Sequence, residues 1–350
     1  MMHTQSEDER WMTIAMEQAA MGIGRTAPNP PVGAVVTRAG EMLGKGWHRA
    51  AGQPHAEREA IGDAVARHGA EALRGACIYV TLEPCSTHGR TPPCTDGIVE
   101  AGITRVVYAC RDENPAHQGR ADAVLASAGV EVVSGVLEAD ARSQLRPFFK
   151  VRRSGLPWVI WKTAMSMDGR LTRPPGEGPW LTCESSRLDV QKLRSSVDAI
   201  LTSGETVRRD RPALTIRVPE LAAGRPQPWR VVFSDHPGTL PCDAPLIRDA
   251  TRTLIRPRGN LAAALRSLVD EQGVLSAMME AGGTLAGCFA AEGLIDEVVI
   301  YLAPMLCGGP VPALGDPALP GRMRLVDPQY TLIPNSRDIR LRACVANAAE

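Results

Sequence analysis

His55-Ala56-Glu57, the run Cys77-Ile78-Tyr79-Val80-Thr81-Leu82-Glu83-Pro84-Cys85, and Cys94 decide how this chain reads. Residues 77–82 are apolar and β-branched enough to form a strand that ends at Glu83-Pro84-Cys85. His55 to Ala66 has the helical spacing of Ala56, Ala60, Ile61 and Val65, so His55 and Glu57 fall in a first helical turn. A strand delivering Cys85 beside a helix delivering His55 and Glu57 is an α/β layer. The chemistry on offer is one imidazole, two thiolates and one carboxylate. Catalytic Zn²⁺ takes three protein ligands and keeps its fourth position for water, whose pKa falls from about 16 to about 7. His55, Cys85 and Cys94 are the candidate ligands. Glu57 sits close enough to carry protons without binding the metal. The partial positive charge of a helix N-terminus favours Cys85 as thiolate.

The order H-x-E…P-C-x-x-C is that of zinc-dependent nucleobase deaminases. This chain departs from it in the cysteine spacing, because eight residues, Ser86 to Pro93, separate Cys85 from Cys94. Gly89 and Pro92-Pro93 mark that stretch as a loop. The alternatives are a structural zinc site or buried cysteines of a reduced protein. A structural site takes four protein ligands, and the fourth obvious candidate, His88, lies inside the loop.

With 350 residues the chain has room for two domains. Its formal net charge of zero leaves no broad cationic field for nucleic acid or an anionic membrane. Basic residues lean slightly to the second half, which suits a phosphorylated small ligand. Nine cysteines without framework spacing argue against a disulfide scaffold. His3 to Arg10 is polar, and no apolar run of about eighteen residues occurs, which argues against a signal peptide or membrane span. A cytoplasmic enzyme is the expectation.

Ser6-Glu7-Asp8-Glu9 is a capping box opening a helix that ends at Gly22 and Gly24. Val32–Val36 and Met42–His48 form a hairpin around Arg38-Ala39-Gly40-Glu41. Strands are expected near 105–109 and 130–134, with helices near 95–101 and 120–128. Asn29, in Pro28-Asn29-Pro30-Pro31, is either a turn asparagine or an amide holding a heterocycle edge. His48 is either a substrate contact or, by default, a surface histidine. A boundary fits the Pro- and Gly-punctuated stretch 146–157, giving domains 1–148 and 149–350. Beyond it come a strand from Trp158, a turn at 165–170, a helix at 185–195, a strand at 199–202, a loop at 203–206 and a strand at 230–233. Ala281-Gly282-Gly283-Thr284 then precedes a helix to about Glu292. Such a turn can cradle phosphate, but Gly-Gly by itself is weak evidence.

Three stretches of the first half look like the deaminase half of the bifunctional riboflavin-biosynthesis deaminase/reductases. These are Pro28–Val35, Gly46-Trp47-His48 through Glu57, and Val80–Cys94 with its His88-Gly89-Arg90-Thr91-Pro92-Pro93 loop. The long cysteine loop is specific to that branch of the cytidine deaminase-like proteins. Lys162–Arg170, Gly178–Thr182, Asp210–Thr215, Glu280–Leu285, Leu294–Glu297 and Tyr301–Pro304 resemble the reductase half. The resemblance implies an α/β chain: an N-terminal cytidine deaminase-like layered sandwich and a C-terminal dihydrofolate reductase-like domain.

Its implied cofactors are Zn²⁺ and NADPH. Ala164, Trp180, Thr206, Asp210, Ser234 and the turn Gly282, Gly283, Thr284, Leu285, Ala286, Gly287 and Cys288 would contact the dinucleotide. Gly178, Arg194, Leu214, Arg217 and Glu280 would contact substrate, as would Asn29 in the first half. The two arginines suit a ribose 5-phosphate, or else are solvated faces of their elements. Lys162 and Asp168 are candidates for the hydride step, or pins of the strand-turn geometry. Three positions depart from the family pattern: Ala121 after Gln118-Gly119-Arg120, where glycine is usual; Gly178, where serine is frequent; and Arg211, where Asn or Asp follows Asp210. The implied partner is a phosphorylated pyrimidine, with no nucleic acid or membrane, in a homo-oligomer formed through the reductase half. Two other classes stand beside this one: a nucleic-acid base deaminase, and a zinc-stabilised binding protein without catalysis.

Overall fold

The computed structural model describes residues 6–87, 92–114, 119–315 and 323–346. His88, Gly89, Arg90, Thr91 and Gln118, singled out in the sequence, lie outside the described residues. The chain divides into two compact units, Met1–Ser154 and Gly155–Glu350.

The first unit runs α1 (Glu7–Ala20), β1 (Gly33–Arg38), β2 (Glu41–Trp47), α2 (Ala56–His68), β3 (Cys77–Leu82), α3 (Cys94–Glu100), β4 (Arg105–Cys110), α4 (Arg120–Ser127), β5 (Glu131–Ser134) and α5 (Glu138–Ser154). Its sheet has the order β2-β1-β3-β4-β5, antiparallel from β2 to β3 and parallel from β3 to β5. Both faces are apolar, as a sheet covered on two sides requires. Ala34, Val36, Ile78, Val80, Val106 and Tyr108 pack in one cluster with Ala56 and Ala60 of α2, Ile98 of α3 and Leu125 of α4. The alternate residues Val35, Tyr79 and Val107 are also buried. The Ser6 capping box is present, with both reciprocal hydrogen bonds made.

Two glycines of β2 set the height of α2. A Cβ on Gly44 or Gly46 would come within 2.5 Å of the α2 backbone, so helix and hairpin touch main chain to main chain. That contact fixes where His55 and Glu57 project. The expected boundary at 148/149 falls inside α5, and the division comes after Ser154. Pro147 does not stop the helix because Leu145, Phe148 and Phe149 are buried on one side of it. Their packing outweighs the loss of one helical hydrogen bond.

The second unit runs β6 (Trp158–Ser166), α6 (Glu184–Ser195), β7 (Ala199–Ser203), α7 (Gly204–Asp210), α8 (Pro219–Ala222), β8 (Trp229–Phe233), α9 (Pro245–Arg248), β9 (Thr253–Arg256), α10 (Leu261–Gln272), β10 (Ser276–Met279), α11 (Gly283–Ala291), β11 (Glu297–Ala303), β12 (Leu325–Leu332) and β13 (Ile339–Val345). The sheet order is β12-β13-β11-β6-β10-β7-β8-β9. From β11 to β9 neighbouring strands are parallel, and β13 and β12 add antiparallel pairs. One apolar cluster joins Val159, Leu201, Val231 and Met279 to α10 and α11, and a second joins Ile160, Ile200, Val232 and Met278 to α6. The loop expected at 203–206 is instead a strand end and the start of α7. Ser203 is its N-cap, accepting a hydrogen bond from the Thr206 N–H at 3.1 Å.

Arg211 ends α7 in the left-handed region, at φ 45° and ψ 51°. Such a conformation costs a residue with a Cβ roughly 1–2 kcal/mol, and Asn tolerates it better. Arg211→Asn is expected to raise the thermal midpoint of this unit by about 2 °C, measured by circular dichroism. An unchanged or lower midpoint would show that the ion pair of Arg211 with Asp243 outweighs the strain. Among the described residues, no helix is long and apolar enough to cross a membrane.

Candidate active sites

In the first unit, the helix α2 begins at its N-cap His55, and Glu57 lies in the first turn, 4% exposed. Cys85 follows the end of β3, and Cys94 is the first residue of α3. His55 Nδ1 is 3.5 Å from Cys85 Sγ and 3.3 Å from Cys94 Sγ. The three donor atoms lie within 4.8 Å of one another. One imidazole and two cysteine sulfurs converging on a point, with no fourth protein donor among the described residues, fit zinc with an open position.

Electrostatics prepare Cys85 for a cation, while the hydrogen bond to Cys85 and burial push the Cys94 thiol up. The hydrogen bond between the two thiols, with help from His55 and the Cys94 N–H, holds the Cys85 thiol well below its ordinary range, at about 4. The Cys94 N–H donates to Cys85 Sγ at 3.3 Å. That N–H belongs to the start of α3, so the expected helix-end effect acts through Cys94. Burial pushes the Glu57 carboxyl up to about 7, and the Cys85 thiolate adds to it.

His55 and Cys85 also line a cavity of about 160 Å³, together with Asn29, His48 and Glu57 among others. His48 is no surface histidine: it is 2% exposed. Its Nδ1 is 3.0 Å from the Pro54 carbonyl and its Nε2 is 3.0 Å from Asn29 Nδ2. A carbonyl only accepts, so Nδ1 carries the proton and Nε2 accepts from the Asn29 amide. Burial lowers the His48 pKa, which keeps the ring neutral in that tautomer. The Asn29 amide oxygen is therefore the end left to face the cavity.

Asp112, Asn114, Phe148 and Arg152 are among the lining residues to which the sequence reading assigned no site role. Asp112 and Asn114 follow β4, the parallel neighbour of β3, and so emerge at the same sheet edge as Cys85. Ligand sites collect at such edges, and that signal could have found them. The buried carboxylate of Glu83 ties this loop down, accepting from the N–H groups of Asp112 at 3.2 Å and Ala121 at 3.3 Å.

In the second unit the same edge rule operates. Ala164 is near the end of β6, Thr206 follows β7, Ser234 follows β8 and Glu280 follows β10. These strands are parallel neighbours, so all four lie along one edge. Trp180 is 59% exposed, with the Arg187 guanidinium 5.1 Å from its ring centroid. Asp210 ends α7 and is exposed. The supposed turn 282–288 is mostly helix. Leu285, Ala286 and Gly287 are buried in α11, and the Ala286 N–H is already donated to the Gly282 carbonyl. Only the first-turn N–H groups remain for an anion. Gly283 is required there, because a Cβ would meet the Pro312 carbonyl oxygen at 2.7 Å.

Arg194 and Glu280, assigned separately to substrate, hold each other. Arg194 Nε and Nη2 lie 2.7 and 3.1 Å from the two Glu280 oxygens, and Nη1 donates to the Thr215 carbonyl at 3.1 Å. Lys162 Nζ adds a 3.5 Å contact to Glu280. The Arg217 side chain is exposed and Leu214 is buried. Asp168 accepts from Ser166 Oγ and from the N–H groups of Cys307 at 3.0 Å and Gly308 at 2.7 Å. That pins the strand-turn geometry. Gly178 has φ 87°, a conformation in which serine would be strained.

Comparison with known proteins matches both units. Residues 5–110 match the cytidine and deoxycytidylate deaminase zinc-binding region, and residues 157–331 match the RibD C-terminal domain. Riboflavin biosynthesis protein RibD of Escherichia coli is 38% identical, over 93% of this chain and 95% of that protein. The chain belongs to the RibD family.

RibD of Mycobacterium tuberculosis is 40% identical over 87% of each chain. Acinetobacter baumannii RibD superposes with a TM-score of 0.86 at 34% identity, covering 98% of this chain and all of that one. The Thermotoga maritima diaminohydroxyphosphoribosylaminopyrimidine deaminase/5-amino-6-(5-phosphoribosylamino)uracil reductase superposes with a TM-score of 0.84 at 31% identity over 97% of this chain. As a RibD-family member the chain is a bifunctional deaminase/reductase of riboflavin biosynthesis, with a zinc-binding deaminase domain ahead of a reductase domain. Neither a nucleic-acid deaminase nor a zinc-stabilised binding protein accounts for the second unit.

Proposed function

We propose that the first unit hydrolytically deaminates 2,5-diamino-6-ribosylamino-4(3H)-pyrimidinone 5′-phosphate and that the second reduces the ribosyl group of the product to a ribityl chain. The observation that carries this is the convergence of His55, Cys85 and Cys94 beside a buried Glu57, with Asn29 lining the same cavity. His55, Cys85 and Cys94 hold zinc, which when bound makes a water nucleophilic at neutral pH. Glu57 takes up a proton and delivers it to the departing amine; a carboxyl near 7 suits both directions of transfer. Asn29, oriented by His48, offers its amide oxygen to an N–H on the edge of the pyrimidinone.

In the second unit NADPH supplies the hydride. Ala164, Trp180, Thr206, Asp210, Ser234 and the first turn of α11 bind the dinucleotide. The first-turn N–H groups of Gly283, Thr284 and Leu285 would be available to its pyrophosphate. Glu280, Leu214, Arg217 and the main chain at Gly178 contact the substrate, with Arg194 holding Glu280 in place. The exposed guanidinium of Arg217 takes the ribose 5-phosphate. The enzyme works in the cytoplasm on small phosphorylated pyrimidines, as a homo-oligomer formed through the reductase unit.

The test is a two-stage assay on purified protein. Ammonia release from the diaminopyrimidinone phosphate and then NADPH oxidation are expected. Chelation of zinc should abolish the first stage, leave NADPH oxidation on deaminated substrate intact, and leave the far-ultraviolet circular dichroism unchanged. Neither activity in zinc-loaded protein would overturn the proposal. Loss of the fold on chelation, with no ammonia released beforehand, would favour the zinc-stabilised binding protein.

A further inference from the structure

Arg152 is the only arginine or lysine among the described residues that line the deaminase cavity. It lies in the last turn of α5, four residues after Phe148, which also lines the cavity. Residues at that spacing share a helix face, and the Arg152 guanidinium rests 5.0 Å from the Phe148 ring centroid. Its neighbours are spent elsewhere: Glu113 pairs with both Arg142 and Arg153. Arg152 makes no ion pair among the described residues, and its side chain is exposed. Stacking on a buried ring holds its donor fork in place without a carboxylate to neutralise it.

The rest of the described lining offers a phosphate no lysine or arginine. The carboxyls of Glu57 and of Asp112, 8% exposed, line the cavity as well. A substrate bearing a phosphomonoester must therefore keep that group away from both carboxylates. We propose that Arg152 receives the 5′-phosphate of the substrate at the rim of the deaminase cavity and selects phosphorylated over dephosphorylated pyrimidines. This rests on the reading of the cavity as the deaminase site. Two parallel N–H···O bonds from a guanidinium match a phosphate, and a flexible ammonium reproduces the charge but not the fork.

The experiment compares ammonia release from the ribosyl 5′-phosphate substrate and from its dephosphorylated counterpart. With Arg152→Met, KM for the phosphorylated substrate should rise about tenfold with kcat within twofold, because one charge-assisted contact is lost. KM for the dephosphorylated compound should be unchanged by the substitution. Arg152→Gln should behave the same way and serves if the methionine variant does not fold. An unchanged KM for the phosphorylated substrate, or an equal rise for both compounds, would overturn the role of Arg152. A wild-type enzyme that releases ammonia from neither compound would instead overturn the deaminase reading.

Discussion

Glu57→Gln should lower the deaminase kcat by about 10²- to 10⁴-fold while bound zinc, fold and NADPH-dependent reduction stay as in the wild type. The amide keeps the size of the carboxyl and can hydrogen-bond, but it cannot take up and release a proton, and positioned acid–base groups contribute rate factors of that size. Zinc is retained because the converging donors are His55, Cys85 and Cys94, with Glu57 not among them. Reduction is retained because the second unit carries its own site. The measurements are ammonia release under saturating substrate, metal content of the purified variant, and NADPH oxidation on deaminated substrate. A kcat within a few-fold of wild type would remove Glu57 from proton transfer. Loss of zinc would make it a determinant of metal binding instead.

Glu280→Gln should destabilise the reductase unit by about 3–5 kcal/mol and abolish reduction. The wild-type carboxylate, 12% exposed, is shared by Arg194 and Lys162, themselves 11% and 15% exposed. Removing its charge leaves a guanidinium and an ammonium facing each other in a place poor in water. Breaking a buried pair in this one-sided way carries that cost, whereas replacing both partners by apolar groups is often neutral. The control is therefore Glu280→Leu combined with Arg194→Met, which should regain part of the lost stability without regaining activity.

The same carboxyl gives a pH signature. Burial pushes Glu280 up, but Arg194 and then Lys162 outweigh it and hold the group at about 2, against an ordinary value of 4.5. A depressed folded pKa stabilises above the unfolded value and is lost as pH falls through the folded one. The wild type should accordingly lose about 3 kcal/mol relative to Glu280→Gln between pH 4.5 and pH 2, read by denaturant titration. Parallel pH dependence in the two proteins would show that the ion triad is solvated.

Much of this was legible in the chain because it is local. The capping box at Ser6, the continuous buried run around Val80, and the strand leading to Cys85 each depend on residues within a few positions. The clustering of His55, Cys85 and Cys94 was legible too, because thiols and an imidazole have few other uses at that spacing. Pro147 misled, since its local effect on a helix was overruled by the burial of Phe148 and Phe149. His48 misled in the same way: nothing adjacent to it in sequence announces that Asn29 and Pro54 enclose it. The turn at 282–288 looked like a cradle throughout, and only its first turn keeps N–H groups that its own helix does not use.

By itself the sequence determined the metal-binding chemistry, the family and the order of the two catalytic halves, since these follow from residue types and short spacings. Only the tertiary structure decided that Asp112, Asn114 and Arg152 join the deaminase cavity, that Asn29 presents its oxygen, and that Arg194 and Glu280 hold each other. The reason is physical. Strand order and helix docking bring together residues far apart in the chain, and burial then sets which of their charges must pair.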